Sequence, residues 1–161
     1  MTATEANHQM LAGYPVVIEI PVLWGELDAY GHVNNTVYFK YFESVRMVYL
    51  ERCGVLEWYE RERIGIILHS TECRFRSALH HPDSVLVGAR TIQMEVDRFV
   101  MAYTVVSRSA DRVAAEGRAT LVWFDYNSRS KTSLPEPVRT SISALESGDL
   151  PSSTDLDPDT L

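Results

Sequence analysis

One stretch of the chain gathers side chains that could do chemistry. Residues 24–35 read Trp-Gly-Glu-Leu-Asp-Ala-Tyr-Gly-His-Val-Asn-Asn and hold carboxylates at Glu26 and Asp28, an imidazole at His32 and carboxamides at Asn34 and Asn35. Directly after it, Tyr38, Tyr41, Phe42, Val45, Val48 and Tyr49 recur at spacings of three and four, an amphipathic helical pattern. The polar cluster therefore feeds a helix N-terminus. Free backbone N–H groups and the helix dipole there favour negative charge developing on a bound carbonyl oxygen. A carboxylate just upstream serves as a nucleophile or as a base on water. These are the two parts an acyl-transfer site needs. The same residues also suit a plain Asx-turn and helix cap, because Asp and Asn side chains bond nearby backbone. The local pattern leaves both readings open.

The elements around this cluster are legible from periodicity. Val16, Ile18, Ile20 and Val22 alternate as a strand before it. Asn34 or Asn35 suits the helix N-cap, and the helix is expected to stop at Cys53-Gly54. Met47 and Leu50 broaden its apolar stripe, so the helix should be enclosed on more than one side. A short second helix is expected at 55–61. Alternation then resumes at Ile64, Ile66 and Leu68 through Phe75, at Val85, Val87 and Ala89 through Val96, at Met101, Tyr103 and Val105, and at Ala119, Leu121 and Trp123. Short turns join these strands, which implies antiparallel pairing and an α+β domain. One helix cannot cover both faces of a five-stranded sheet, so a subunit partner is expected.

Composition bounds the rest. A chain of 161 residues with 45% apolar and 23% charged residues is one globular domain. No run of ~18 apolar residues can span a membrane. The polar start lacks a signal pattern, which points to a cytoplasmic protein. Two cysteines, Cys53 and Cys73, make neither a disulfide scaffold nor a four-ligand zinc site and read as small apolar fillers. The formal charge is −7, but five of the 22 acids lie after Leu145, where no Lys or Arg occurs; residues 1–145 carry 17 acids against 15 bases. A nearly neutral body offers no footprint for nucleic acid. The organisation expected is a flexible N-terminus at 1–13, one domain at 14–145 and an acidic disordered tail at 146–161. His80-His81-Pro82-Asp83 reads as a loop, since a metal site needs several convergent ligands.

The run 24–35, followed by Tyr38, Tyr41, Phe42, Glu43 and Arg46, resembles the signature of hotdog-fold acyl-CoA thioesterases, the hydroxybenzoyl-CoA thioesterase family in particular. The Asp…His-Val-Asn-Asn form is also similar to plant acyl-acyl carrier protein thioesterases, although Tyr30 stands where one of their Asn residues would be. The resemblance covers about residues 14–126. It implies a hotdog fold, with a five-stranded antiparallel sheet wrapped around a long central helix, and hydrolysis of an acyl-CoA by a homodimer or homotetramer without metal or other cofactor.

Residue by residue, the resemblance makes Asp28 the catalytic carboxylate. Asn35, seven positions on, supplies the backbone N–H that polarises the thioester carbonyl. His32 assists, and Asn34 and Tyr38 belong to the substrate-binding motif. Glu26 is given no catalytic part. Coenzyme A carries phosphates, and Arg98, in a tight link between strands, resembles a position near the family's coenzyme A contacts; Arg76 and Arg74 are secondary candidates. Each arginine also suits a solvated charge on an edge strand. A hotdog hydratase or dehydratase, which also uses an Asp and a His, and a non-catalytic acyl-CoA binding module are the competing functions.

Overall fold

The computed structural model describes residues 9–148. Strand β1 (Val16–Pro21) leads through one turn of 3-10 helix (Trp24–Glu26) and a loop into α1 (Asn35–Arg52), followed by α2 (Val55–Glu62). Strands β2 (Ile64–Phe75), β3 (Ser84–Met94), β4 (Arg98–Ser107) and β5 (Arg112–Asp125) come next, then β6 (Ser130–Lys131) and α3 (Glu136–Ser147). Every strand pair is antiparallel, in the order β1-β3-β4-β5-β2, with β6 on β5. This is the α+β hotdog arrangement. The expected five strands are present, and the two-residue β6 makes a sixth.

Helix α1 forms where the spacing places it. Its buried residues, Val37, Tyr38, Tyr41, Phe42, Val45, Arg46, Tyr49 and Leu50, follow one another at alternating intervals of one and three. Asn34 caps its start through Oδ1, which accepts the N–H of Thr36 at 3.0 Å. Gly54, with φ of +71°, turns the chain out of its end. The sheet receives the helix closely at Gly117, where a Cβ would lie 2.4 Å from the Phe42 ring. Tyr103 of β4 stacks on the same ring at 4.9 Å. Phe42, Val45, Tyr49, Phe99, Met101 and Leu121 are fully buried around this contact.

Two boundaries shift from the expected ones. Leu11 is buried, and it packs with Tyr14 over Gly88 of β3, so ordered packing begins before residue 14. At the other end α3 runs through Ser147, burying Val138, Ile142 and Leu145. Glu146, expected in the tail, accepts hydrogen bonds from Tyr49 Oη and the Thr91 N–H, each at 2.6 Å. Its carboxylate thus belongs to the domain. The rest of the expected flexible N-terminus (1–8) and of the acidic tail (149–161) lies outside the described residues. Among the described residues, no helix is long and apolar enough to cross a membrane.

Candidate active site

The loop between the 3-10 turn and α1 is built by its own polar groups. Leu27 and Val33 form a β-bridge. Within it the Asp28 N–H donates to the His32 carbonyl at 2.7 Å, and the Gly31 N–H to the Asp28 carbonyl at 3.1 Å. Gly31 takes φ of +75°, a turn a side chain would disfavour. Asp28 Oδ1 accepts the N–H groups of Tyr30 at 2.8 Å and His32 at 3.2 Å. The Asx-turn reading is therefore correct for this one oxygen. Oδ2 has no hydrogen-bond partner among the described residues.

Glu26 has a different task. Its Oε2 accepts the Leu23 N–H at 3.1 Å and the Tyr41 hydroxyl at 3.3 Å, and its carbonyl accepts the Asn34 N–H at 2.8 Å. Burial and the neighbouring Glu26 carboxylate push the Tyr41 phenol well above its ordinary range, which keeps it a donor. Glu26 therefore fastens the loop to α1. A second tie comes from the Val33 N–H, which donates to the Leu79 carbonyl at 2.9 Å.

A cleft of about 320 Å³ opens where this loop, the first turn of α1 and the end of β2 meet. Asp28, His32, Asn35, Tyr38 and Arg76 all line it. Asn35 is the first residue of α1, and its N–H donates to no acceptor among the described residues, because Asn34 Oδ1 takes Thr36 and the Asn34 carbonyl takes Val37. The first turn of α1 holds no acidic residue of its own to offset the positive end of its dipole. A carboxylate and an unengaged helix-start amide thus share one opening.

Not every candidate enters it. Asn34 is outside the lining, and its carboxamide oxygen accepts the Thr36 N–H and hydroxyl. Arg98 is outside as well. It sits at the β3–β4 turn with Nε and Nη2 on the two carboxylate oxygens of Asp97, at 2.7 and 3.0 Å. Arg76 does border the cleft, with its guanidinium paired to Glu116.

Sequence reasoning missed the opposite wall, formed by Phe75, Ser77 and Ala78. Phe75 is 51% exposed and meets the buried Tyr38 ring edge-on at 5.0 Å. Burial raises the Tyr38 phenol above its usual range, so it stays neutral. Phe75 ends an alternating strand, but nothing local shows that this end reaches the α1 N-terminus. His80, forty-eight positions after His32 in the chain, sets its ring edge-on to His32 at 4.8 Å.

Comparison with known proteins extends the geometry. A family model described as "Thioesterase-like superfamily" matches residues 22–142. The chain is 22% identical over 121 residues to the long-chain acyl-CoA thioesterase FadM of Escherichia coli K12, covering 75% of this chain and 92% of that protein. It is 26% identical over 123 residues to the chloroplastic acyl-acyl carrier protein thioesterase ATL3 of Arabidopsis thaliana, covering 76% of this chain and 64% of that protein. Among solved structures, a thioesterase from Thermus thermophilus complexed with coenzyme A and Zn superposes with a TM-score of 0.75 and 30% identity, over 84% of this chain and 97% of that one.

Proposed function

The chain belongs to the thioesterase-like superfamily, hydrolases of thioester bonds, and on that premise we propose that it hydrolyses an acyl-CoA to the free acid and coenzyme A at the cleft between Asp28 and Asn35. The observation that carries the reading is that the open oxygen of the Asp28 carboxylate and the unengaged Asn35 N–H belong to residues lining the same cleft.

Asp28 acts as nucleophile or as base on water. As base, Asp28 takes a proton from water while the hydroxide adds to the thioester carbon. The carbonyl oxygen gains the charge and is held by the Asn35 N–H and the positive end of α1. The carbon–sulfur bond then breaks, and the thiolate leaves and recovers the proton. The Tyr30 and His32 N–H groups hold the carboxylate plane during these steps. We assign His32 an assisting role beside the departing sulfur, and the Tyr38–Phe75 aromatic pair the wall on which the acyl group rests.

The working unit in this reading is a homo-oligomer. Strand β2 ends the sheet order, and its outer side pairs with no strand among the described residues. It exposes Ile67 and Leu68 near its start and Phe75 at the cleft. A monomeric mass by light scattering would remove that part.

The activity is tested by following thiol release from short, medium, long and aromatic acyl-CoAs. Thiol release with saturation on at least one of them is expected. Water addition to an enoyl-CoA without thiol release, or tight acyl-CoA binding without turnover, overturns the assignment.

A further inference from the structure

Two imidazoles meet beside the Asp28 cleft. His32 lines the cleft and His80 does not, yet their rings stand edge-on at 4.8 Å, with 81° between their planes. The contact joins two separate segments. His32 lies on the loop before α1, and His80 on the link 76–83 from β2 to β3. Both residues are exposed. Neither ring makes a hydrogen bond or ion pair among the described residues. No third His, Cys, Asp or Glu among them completes a metal-binding group, so the two rings form a packing pair.

The link holds His80 in place through its backbone. At its start the N–H groups of Arg76 and Ser77 both donate to the Ala114 carbonyl, at 2.8 and 3.1 Å. At its end the Asp83 carboxylate accepts the Ser84 and Ser109 N–H groups and the Ser107 hydroxyl. Between these anchors Leu79 is buried, and its carbonyl takes the Val33 N–H at 2.9 Å. Leu79 and Val33 are the chain neighbours of His80 and His32, so one backbone hydrogen bond sets the two rings in register.

The His32 backbone is held as firmly, its N–H on Asp28 Oδ1 and its carbonyl under the Asp28 N–H. What stays free is the side-chain torsions, which an exposed imidazole without a hydrogen bond samples among staggered wells. A ring edge is attracted to the face of its neighbour, and that attraction favours one well over the others.

We propose that His80 is a positioning residue, whose ring selects the His32 rotamer that presents a ring N–H to the departing sulfur. An N–H so placed stabilises the thiolate as the carbon–sulfur bond breaks and its electron pair passes to sulfur. The proton that the thiolate then takes up is the one Asp28 removed from water. His80 acts only through His32, since it stands outside the cleft lining. The inference rests on the hydrolase reading and on the assisting role of His32, and it adds to them a residue from the β2–β3 link.

The test is a double-mutant cycle on His32 and His80, read by thiol release, with the exposed neighbour His81 as control. His80→Ala should lower kcat about three- to tenfold, the worth of an edge-on ring pair expressed as a rate, with KM and melting temperature unchanged. His80→Phe keeps a ring for the contact and should recover most of that loss. In the His32→Ala background, His80→Ala should cost nothing further, because its effect passes through His32. His81→Ala should match wild type. In NMR spectra of the folded chain the His32 ring protons lie in the field of the neighbouring ring, and their shifts should move in His80→Ala but not in His81→Ala.

A wild-type kcat in His80→Ala, or an equal fall with and without His32, overturns the positioning role and leaves the hydrolase reading standing. Failure of His80→Phe to recover activity overturns the ring contact as the cause. His32 ring shifts that ignore His80→Ala remove the pair itself. Should the wild-type chain release thiol from no acyl-CoA, the hydrolase reading and this role fall together, while the ring shifts still report the contact.

Discussion

Asp28 and Glu146 each place one carboxylate oxygen under two donors, and those donors come from opposite ranges of the chain. The donors to Asp28 are the N–H groups of residues 30 and 32, inside its own loop. The donors to Glu146 are Tyr49 Oη from α1 and the Thr91 N–H from β3, 97 and 55 positions away. Local donors present a carboxylate at a cleft without making the fold depend on it. Distant donors, one on a fully buried tyrosine, tie three elements together. Chemistry is therefore expected where the bonding is local, and stability where it is long-range.

Substitution should separate the two. Asp28→Asn keeps an oxygen for the Tyr30 and His32 N–H groups and removes only the charge. Turnover should fall about 10²–10⁴-fold with the melting temperature essentially unchanged; turnover within a fewfold of wild type would take Asp28 out of the mechanism. Glu146→Ala should do the reverse. It leaves the Tyr49 hydroxyl and the Thr91 N–H without their acceptor, so denaturant unfolding should show a loss of about 2–4 kcal/mol, while kcat of the folded fraction stays near wild type. Asn34→Ala falls between, costing about 1 kcal/mol as a lost helix cap together with a modest drop in kcat, because in the proposed mechanism the first turn of α1 carries the oxyanion donor.

The two thiols should be silent. Burial pushes Cys73 up to about 11 and Cys53 up to about 12. A raised thiol pKa keeps the neutral form through the physiological range, with the thiolate appearing only as pH climbs towards those values. At pH 8 the thiolate fraction of Cys73 is about one in a thousand. A disulfide reagent should label neither cysteine in the native chain, and its colour in a hydrolysis assay should report released coenzyme A alone.

Much of this comparison was legible before any coordinates, and the parts that were not share a cause. The limits of α1 followed from three-and-four spacing and from two local signals, Asn34 at one end and Gly54 at the other. The long strands followed from alternation. Helix α3 did not, because Glu136–Ser147 is rich in Ser and carries a proline in its first turn, a composition that reads as loop. Its Val138, Ile142 and Leu145, spaced four and three apart, were the available signal. Asp28, His32, Asn35 and Tyr38 sit within one short segment and could be read together. Phe75, Ser77 and Ala78 reach them only because β2 ends over the start of α1, a fact of sheet order. Arg98 shows the converse, for its neighbouring Asp97 occupies the guanidinium locally.

The central claim is that a backbone amide, rather than a side chain, polarises the thioester. Asn35 occupies the first position of α1, the one helical position where proline is favoured, and Asn34 already holds φ of −58° and ψ of 141°, compatible with a following proline. Asn35→Pro therefore deletes the N–H and spares the helix, whereas Asn35→Ala deletes only the carboxamide. Measured by thiol release, Asn35→Pro should lose about 10²–10³-fold in kcat with unaltered thermal stability, and Asn35→Ala should stay within a fewfold of wild type. Wild-type turnover by the proline variant would contradict the account.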